Sequence, residues 1–427
     1  MKIEFHGAGQ EVGRSCIEID DTYLLDSGIK VGEIVEYPDN IARREDQTVQ
    51  FPAKIDFKKI KAVFLSHAHL DHSGALPLFD HFGLNCPVFC TAETRAITEI
   101  LLKDALKIQS FKRQHTVYNE YDIEKVESMM KLMQIHTKGK VDNVEFELYD
   151  AGHIPGSSCI FLDIDGKTLL YTGDINTTDT QLLHKIDELP HADIMICEST
   201  YGNRDHTPRE ETENKFLDKV QEVLDRDGRV LIAAFAVGRA QEIILLLNKR
   251  EFNVPIYLDG MAKEVTNRFL EDPHSVKDPQ ALLAAVDKVN YVEGRERKKI
   301  IQQKGIFVTT SGMVTGGPIM QYLKFAHDDP KSAIILTGYQ AEDTNGRMLK
   351  EQGRCVVDKK METVKCEVSF FDFSAHAGRQ GLIDLINKVD PSILILNHGD
   401  PEAVKSLAEV FKERKVYTPK TGDMIKV

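Results

Sequence analysis

The sequence lacks the features of a membrane, secreted or disulfide-stabilised protein. None of the 427 residues is tryptophan. No apolar run approaches the roughly 18 to 20 residues that cross a bilayer. The seven cysteines are scattered, odd in number and never spaced as Cys-x-x-Cys, so they indicate neither a disulfide framework nor a thiolate zinc site. Met1 leads into charged residues rather than a signal peptide, so we expect a cytoplasmic protein with no membrane partner.

Positive charge is also in short supply. The chain has 54 lysine and arginine residues against 67 aspartate and glutamate residues, which gives a formal net charge of −13. This balance excludes a protein that coats nucleic acid with its whole surface. It does not exclude a nuclease, because bound metal ions can supply the positive charge locally.

Strand and helix patterns divide the chain into two regions. Before Tyr201 most apolar runs are short and end in turn residues or acids, as sheet strands do, and helices are predicted at 94–110 and 122–133. After it, strands and helices alternate at the spacing of a doubly wound parallel sheet, until a shorter pattern returns near Cys366. The sequence therefore predicts a discontinuous first domain at 1–200 and 366–427, with a second domain inserted at 201–365.

One loop carries an unusual concentration of metal ligands. The stretch "FLSHAHLDHSG" places His67, His69, Asp71 and His72 after a buried apolar run, where loops carry chemistry on a rigid strand. A single histidine would more often be an ordinary surface or core residue. Imidazole and carboxylate together suit zinc, and this set exceeds what one tetrahedral ion with an open position needs. The loop therefore predicts two metal ions.

Four more polar side chains stand beside glycine at the ends of apolar strands. They are Asp26, His153, Asp174 and His398, and they come from distant parts of the chain. A Gly-Asp or His-Gly turn by itself is usually only a turn. Together these positions predict side chains that converge on one edge of a sheet and complete the loop.

The residue types, their order and their approximate spacing resemble the metallo-β-lactamase superfamily. The residues that carry this resemblance are His67, His69, Asp71, His72, His153 and Asp174, with Asp26 upstream. The resemblance implies an α/β fold, with an αββα sandwich as the first domain. The position three before His72 is His69 and not glutamate, so the loop is unlike the di-iron branch of the superfamily and favours zinc.

Three later motifs resemble those of the β-CASP nucleases. They are "CEST" with Glu198, "FSAH" with His376 and "NHGD" with His398. That family carries an inserted parallel-sheet α/β domain, the β-CASP domain, which agrees with an insertion at 201–365. The motifs "EVGRSC", "FAVGRAQE", "SGMVTGGP" and "GYQAEDTNGR" are most similar to archaeal and bacterial relatives of the 73-kilodalton subunit of the cleavage and polyadenylation specificity factor. A histidine at position 398 is the residue of the RNA-processing branch.

The resemblance also implies cofactors and roles. Two Zn²⁺ ions are expected, one held by His67, His69 and His153, the other by Asp71, His72 and His398, with Asp174 as the bridge. The reaction would be hydrolysis of RNA to 5′-phosphate and 3′-hydroxyl ends, with His376 as proton donor to the leaving oxygen and Glu198 keeping it protonated. Asp26 joins the catalytic set as the residue that fixes a ligand histidine through its other ring nitrogen.

The inserted domain supplies candidates for gripping RNA. "TTSGMVTGGP" and "GYQAEDTNGR" both follow predicted parallel strands, at the edge where doubly wound sheets bind ligands. Glycine and small hydroxyl residues expose backbone N–H groups that can cradle phosphate, although such turns are structural about as often. The residues predicted to contact the RNA backbone are Arg239, Ser311, Gly312 and Arg347.

Several functions compete. We expect an endonuclease of RNA processing or 3′-end formation, and the alternative is a 5′ to 3′ exoribonuclease of the ribonuclease J type. A non-catalytic scaffold is disfavoured because every expected ligand position is filled, and a small-molecule hydrolase would not need the inserted domain. Met1 leads directly into the first predicted strand, which indicates the type of relative without amino-terminal KH domains. The last residues resemble a dimer-forming segment, so a homodimer is expected, with RNA-processing or transcription machinery as partners.

Overall fold

The computed structural model describes residues 1–30, 35–38, 54–111, 117–272 and 274–427. These residues form two compact units, each described separately below. The first unit comprises Met1–Asp179, Lys185–Asp205 and Ala375–Val427, and the second comprises Thr180–His184 and His206–Ser374.

Strands and helices of the described residues are numbered in chain order. The strands are β1 (Lys2–Phe5), β2 (Ile17–Ile19), β3 (Tyr23–Leu25), β4 (Ala62–Phe64), β5 (Val88–Cys90), β6 (Met130–Leu132), β7 (Gly139–Val141), β8 (Val144–Asp150), β9 (Ser158–Ile164), β10 (Lys167–Tyr171), β11 (Ile194–Glu198), β12 (Val230–Ala233), β13 (Ile256–Asp259), β14 (Val289–Tyr291), β15 (Ile306–Thr309), β16 (Ala333–Leu336), β17 (Arg354–Val357), β18 (Lys360–Thr363), β19 (Glu367–Phe370), β20 (Ile393–Asn397), β21 (Lys415–Tyr417) and β22 (Met424–Lys426). The helices are α1 (Leu70–Ser73), α2 (Leu76–His81), α3 (Ala92–Phe111), α4 (Glu120–Met129), α5 (Arg209–Asp225), α6 (Arg239–Asn248), α7 (Ala262–Glu271), α8 (Pro279–Asp287), α9 (Arg297–Ile300), α10 (Pro318–Ala326), α11 (Asn345–Gln352), α12 (Arg379–Val389) and α13 (Pro401–Val410). A 3₁₀ helix at Gly294–Glu296 precedes α9.

Two sheets face each other in the first unit. Their strand orders are β22-β1-β2-β3-β4-β5-β6 and β21-β20-β11-β10-β9-β8-β7. Alternate apolar side chains of both sheets share one buried cluster, which includes Phe5, Phe64, Phe146, Ile196 and Ile395. Because successive strand residues point to opposite faces, the other half of each apolar set is left for a helical layer outside the sheet.

Helices cover both outer faces of this sandwich. On the first sheet, Leu76 and Phe79 of α2 and Val126 of α4 pack in one cluster with strand residues such as Val63. On the second, α12 and α13 bury Leu382 and Leu407 against residues such as Leu394 and Leu396. The first unit is thus the αββα sandwich that the resemblance implies.

The second unit is built around a parallel sheet. Its strand order is β14-β13-β15-β12-β16-β19, and every pairing in it is parallel. β12, β13, β15 and β16 are short, fully buried apolar runs, as expected for strands covered by helices on both faces. A small hairpin of β17 and β18 completes the unit. The predicted alternation of strands and helices is therefore confirmed as a parallel α/β fold.

The structure differs from the sequence pattern in the end of one helix and in the limits of the inserted domain. The helix predicted at 122–133 ends at Met129, because Met130–Leu132 pairs with Val88–Cys90 as the edge strand of the first sheet. The predicted second domain spans 201–365, whereas the second unit runs from His206 to Ser374 and also includes Thr180–His184. Its last strand, β19, pairs with β16 in the parallel sheet, so these residues belong to that unit.

None of the helices in the described ranges combines the length and apolar composition that a bilayer crossing demands.

Candidate metal centre

The histidine loop is held by backbone contacts from the segments around it. β4 ends at Phe64, the loop follows, and α1 begins at Leu70. The Ser15 N–H donates to the Asp71 carbonyl oxygen at 2.8 Å, and the Ser27 N–H donates to the His72 carbonyl oxygen at 2.7 Å. Gly28 lies so close that a Cβ there would be 1.6 Å from the Asp71 carbonyl oxygen. Glycine at position 28 therefore allows the segment after β3 to pack directly on the loop.

Seven predicted ligands converge in two groups that share one carboxylate. The first group is His67, His69, His153 and Asp174, and the second is Asp71, His72, Asp174 and His398. Within each group the candidate ligand atoms all lie within 4.8 Å of one another. Side chains from four separate segments, which follow β4, β8, β10 and β20, therefore meet at one edge of the sandwich.

Distances in the first group have the spacing of ligands around one ion. The Asp174 Oδ2 atom is 3.6 Å from His67 Nε2 and 3.8 Å from His153 Nε2. His153 Nε2 is 3.2 Å from His69 Nδ1. Ligand atoms about 2.0 to 2.2 Å from a tetrahedral ion lie about 3.3 to 3.6 Å apart, so these separations fit a shared cation.

The second group has the same spacing. Asp174 Oδ2 lies 3.4 Å from His72 Nε2, and Asp174 Oδ1 lies 3.2 Å from His398 Nδ1. His398 Nε2 is 3.5 Å from Asp71 Oδ2.

Both His398 and Asp26 have positive φ, at 46° and 61°, and such backbone strain is concentrated at functional sites.

Buried atoms without hydrogen-bond partners provide an independent test of whether a metal fits. Among the described residues, His67 Nε2, Asp174 Oδ1 and His398 Nε2 are buried and have no hydrogen-bond partner. A buried polar atom without a partner costs about 1 to 3 kcal/mol. All three atoms point into the two groups, where a bound cation would satisfy them. The residues present therefore fit a metal centre.

Electrostatics of the centre also favour cations. Asp174 is buried, which by itself would oppose ionisation, but the surrounding imidazoles of His398 and His72 hold its pKa well below the usual range. Burial, together with the neighbouring His72, lowers the pKa of His67 well below its ordinary value. An ionised carboxylate beside a neutral imidazole is the protonation state that metal ligands require. Although burial opposes it, the carboxylates of Asp174 and Asp26 raise the pKa of His72 well above its ordinary value, so a bound cation would displace a proton from that ring.

His376 and Glu198 form a pair beside the same carboxylate. The His376 Nδ1 atom lies 3.1 Å from both oxygens of Glu198, and its Nε2 atom lies 3.9 Å from Asp174 Oδ2. Glu198 is fully buried and also accepts the Ile175 N–H at 2.7 Å. Although burial disfavours the charged imidazole, the carboxylates of Glu198 and Asp174 raise the pKa of His376 to about 9.

A fourth group of candidate ligands lies elsewhere in the first unit. Glu4 lies in β1, Glu18 lies in the neighbouring strand β2, and His6 directly follows β1. The His6 Nε2 atom pairs with Glu18 at 2.9 Å, and Glu4 pairs with Lys2 at 3.1 Å. These contacts account for the cluster without a metal ion.

All four residues predicted to bind RNA lie in the second unit. Arg239 follows β12, Ser311 and Gly312 follow β15, and Arg347 follows β16. These three strands are adjacent in the parallel sheet, so the segments after them share one sheet edge. Ser311 Oγ accepts the Thr315 N–H at 3.1 Å, and the Gly312 carbonyl oxygen accepts from Gln340 at 3.0 Å. Arg239 begins α6 and is mostly buried, whereas Arg347 in α11 is half-exposed and pairs with Glu351 at 2.6 Å.

Several residues of the site were missed by sequence reasoning. Ser66 and Tyr171 contact Asp26, and Thr200 Oγ1 lies 3.4 Å from His398 Nδ1. The Tyr201 ring is 6.1 Å from the ring of His376. Ser66 directly precedes the ligand loop and Tyr171 closes the strand before Asp174, so their positions were the only available signal.

Family comparisons match the chain in three segments. Residues 25–196 match the metallo-beta-lactamase superfamily domain. Residues 240–349 match the Beta-Casp domain. Residues 361–419 match the Zn-dependent metallo-hydrolase RNA specificity domain.

Similar proteins from Methanocaldococcus jannaschii extend over the whole chain. "Probable RNase MJ4" is 41% identical, with 100% of each chain covered. "RNase J-like protein" is 33% identical, covering 100% of this chain and 99% of the relative. "Transcription termination factor FttA" is 33% identical, covering 100% of this chain and 72% of the relative. A solved structure of a protein of unknown function from Enterococcus faecalis V583 has the same fold, with a TM-score of 0.60, 14% identity and coverage of 100% and 99%.

Proposed function

The chain belongs to the β-CASP family of metallo-β-lactamase-fold ribonucleases, and on that premise we propose that it hydrolyses RNA internally at a two-zinc centre. The observation that carries the proposal is the convergence of seven ligands in two groups that share Asp174. Three buried ligand atoms in these groups have no hydrogen-bond partner among the described residues. Metal binding explains both facts.

We assign the ligands as the two groups divide them. One ion would be held by His67, His69 and His153, the other by Asp71, His72 and His398, and Asp174 would bridge them. When bound, such a pair of ions supplies Lewis acidity: it neutralises phosphodiester charge and lowers the pKa of water towards about 7. The donor set of imidazole and carboxylate suits zinc.

The pair of His376 and Glu198 supplies the proton that the reaction needs. Cleavage of the P–O3′ bond leaves negative charge on the 3′ oxygen, which departs more easily when a proton reaches it. His376 Nδ1 lies 3.1 Å from both oxygens of Glu198, and its Nε2 atom faces the ligand groups, 3.9 Å from Asp174 Oδ2, where it would carry the proton to the leaving oxygen. Because the pKa of His376 is raised to about 9, the imidazole is protonated at neutral pH.

Glu198→Gln should move the alkaline limb of the pH profile of cleavage to lower pH. The Glu198 carboxylate favours the charged imidazole, so its loss lowers the pKa of His376 from about 9 towards the ordinary value of 6.5. The acid form is present below this pKa and is lost above it, so the variant should lose activity at a lower pH than the wild type does. Initial rates of cleavage between pH 6 and 10 measure the shift.

A matched control for this variant is Glu18→Gln. Glu18 is also a buried glutamate paired with a histidine, His6, at 2.9 Å, but it lies outside the metal centre. Its replacement should leave the alkaline limb unchanged. If the alkaline limb of Glu198→Gln lies at the same pH as that of the wild type, Glu198 does not keep His376 protonated.

We also propose that the sheet edge carrying Arg239, Ser311, Gly312 and Arg347 grips the RNA backbone. The loops there are joined to one another, because the Gly346 N–H donates to the Met313 carbonyl oxygen at 2.9 Å. These loops lie at the carboxyl ends of parallel strands, where such sheets bind ligands. Homodimer assembly and contact with RNA-processing or transcription machinery stay predictions.

The position of cleavage separates the two candidate activities. An RNA carrying an internal label and either a 5′ phosphate or a 5′ hydroxyl should be cut inside the chain at equal rates. The "RNase J-like protein" relative supports the second candidate, a 5′ to 3′ exonuclease. Release of mononucleotides only, and only from the 5′-phosphorylated RNA, would establish that activity instead.

A further inference from the structure

Asp26 is buried at the back of the metal centre and receives four hydrogen bonds. Its Oδ1 atom accepts the Ser66 N–H at 2.7 Å. Its Oδ2 atom accepts from Ser66 Oγ at 2.8 Å, from His72 Nδ1 at 2.7 Å and from the Tyr171 hydroxyl at 2.6 Å. One carboxylate is therefore saturated by three neighbouring side chains and one backbone group.

The Ser66 hydroxyl extends this network to a second histidine. Its single proton is donated to Asp26, so the hydroxyl oxygen acts as an acceptor towards His67 Nδ1, which lies 3.0 Å away. His72 Nδ1 is 3.5 Å from the same oxygen and lies closer to Asp26 Oδ2, at 2.7 Å. His67 Nδ1 must then carry a proton, which leaves the lone pair on Nε2. The direct bond from His72 Nδ1 to Asp26 likewise fixes the ring of His72, with its Nε2 atom 3.4 Å from Asp174 Oδ2.

We propose that Asp26 positions both metal sites at once, directly through His72 and indirectly through Ser66 and His67. The inference rests on the proposed function, because it takes both ligand groups to bind metal. His67 belongs to the first group and His72 to the second. It identifies Ser66 and Tyr171 as positioning residues. Ser66 sets the tautomer of one ligand, and Tyr171 holds the carboxylate that serves both.

The relay is the chain of hydrogen bonds from Asp26 through the Ser66 hydroxyl to His67 Nδ1. Packing around Ser66 keeps this relay in one conformation. Ser66 is 1% exposed, and Gly173 has a φ of 54° and lies so close that a Cβ there would be 2.8 Å from Ser66 Oγ. The Ser66 carbonyl oxygen accepts the Ser158 N–H at 2.8 Å. The hydroxyl therefore has little freedom to turn away from His67 and Asp26.

The relay predicts unequal effects on the two ions. Ser66→Ala should lower the zinc affinity of the first group, which contains His67, by about 10- to 100-fold, because loss of a hydrogen bond to a ligand histidine typically has that effect. The zinc affinity of the second group should stay nearly unchanged. Asp26→Asn should lower the zinc affinity of both groups, and Tyr171→Phe should lower both affinities to a smaller degree. Competition with a chelator, followed by mass spectrometry of zinc per chain, measures each step.

Ser158→Ala is the matched control. Ser158 is as buried as Ser66, and its hydroxyl donates to the Ser66 carbonyl oxygen at 3.3 Å without touching an imidazole. It should bind two ions as the wild type does. Equal loss in Ser66→Ala and Ser158→Ala, or equal weakening of both ions by Ser66→Ala, would overturn the relay.

Imidazole ¹⁵N NMR of the metal-free chain gives a readout that does not depend on zinc or cleavage. In the wild type, His67 should show a protonated Nδ1 and an unprotonated Nε2, and Ser66→Ala should lose that preference. Unchanged His67 signals in Ser66→Ala would refute the relay even if the wild type binds two ions. A wild type that shows the tautomers but binds no zinc would instead refute the proposed function.

Discussion

Replacing His376 by alanine is expected to slow RNA cleavage by about 10²- to 10⁴-fold, the usual effect of losing a general acid. That factor corresponds to roughly 3 to 5 kcal/mol of activation free energy. Seven other side chains are candidate ligands in the two groups, and His376 lies nearer to Glu198, at 3.1 Å, than to the shared Asp174, at 3.9 Å. His376→Ala should therefore keep both zinc ions and near-normal RNA affinity. Single-turnover rates, zinc analysis and binding isotherms separate these effects.

A change of leaving group tests the chemical role of His376. When sulfur replaces the 3′ oxygen, the leaving group departs without a proton, so His376→Ala should recover much of its rate on that RNA relative to the wild type. His274→Ala, which removes an exposed histidine of the second unit, should behave as the wild type does on both substrates. An equal defect on the sulfur-substituted RNA, or loss of zinc, would place His376 in a structural or ligand role.

The double variant Asp71→Ala with His72→Ala is expected to abolish cleavage and to lower bound zinc. Both side chains belong to the second ligand group, which would retain only His398 and the shared Asp174. Because metal ions contribute several kcal/mol of charge stabilisation to such reactions, the rate should fall by about 10³-fold or more. Elemental analysis and cleavage assays on the same preparations check both results.

A matched double variant controls for loss of charge and of a histidine. His274→Ala with Asp218→Ala changes the same residue types at exposed positions of the second unit. It should keep full zinc and normal turnover. Full zinc and normal turnover in the Asp71 and His72 variant as well would contradict the ligand assignment.

Local sequence signals were sufficient to single out the candidate ligands but not the residues that contact them. His67, His69, Asp71 and His72 stand out because four ligands in one loop after an apolar strand have few other uses. Asp26 and His153 could be proposed because each follows a strand beside glycine. Convergence of these segments depends on strand order in the two sheets, which no local pattern specifies.

Other features depended on contacts that are distant in sequence. The relay through Ser66 depends on where one hydroxyl proton points, and serine at that position is too common to be informative. Met130–Leu132 and Glu367–Phe370 are strands because of the partners they pair with. Segments this short suit helix and strand alike. Both boundary differences therefore arise where tertiary pairing overrides local propensity.

The most direct test of the central claim is the chemistry of the RNA ends. Products of the purified enzyme should carry 5′ phosphates and 3′ hydroxyls, cleavage should stop when a chelator removes metal, and added zinc should restore it. End-specific enzymes and mass spectrometry identify both termini in one experiment. Cyclic 2′,3′-phosphate ends, or cleavage that continues after chelation, would contradict metal-dependent hydrolysis at the centre built around Asp174.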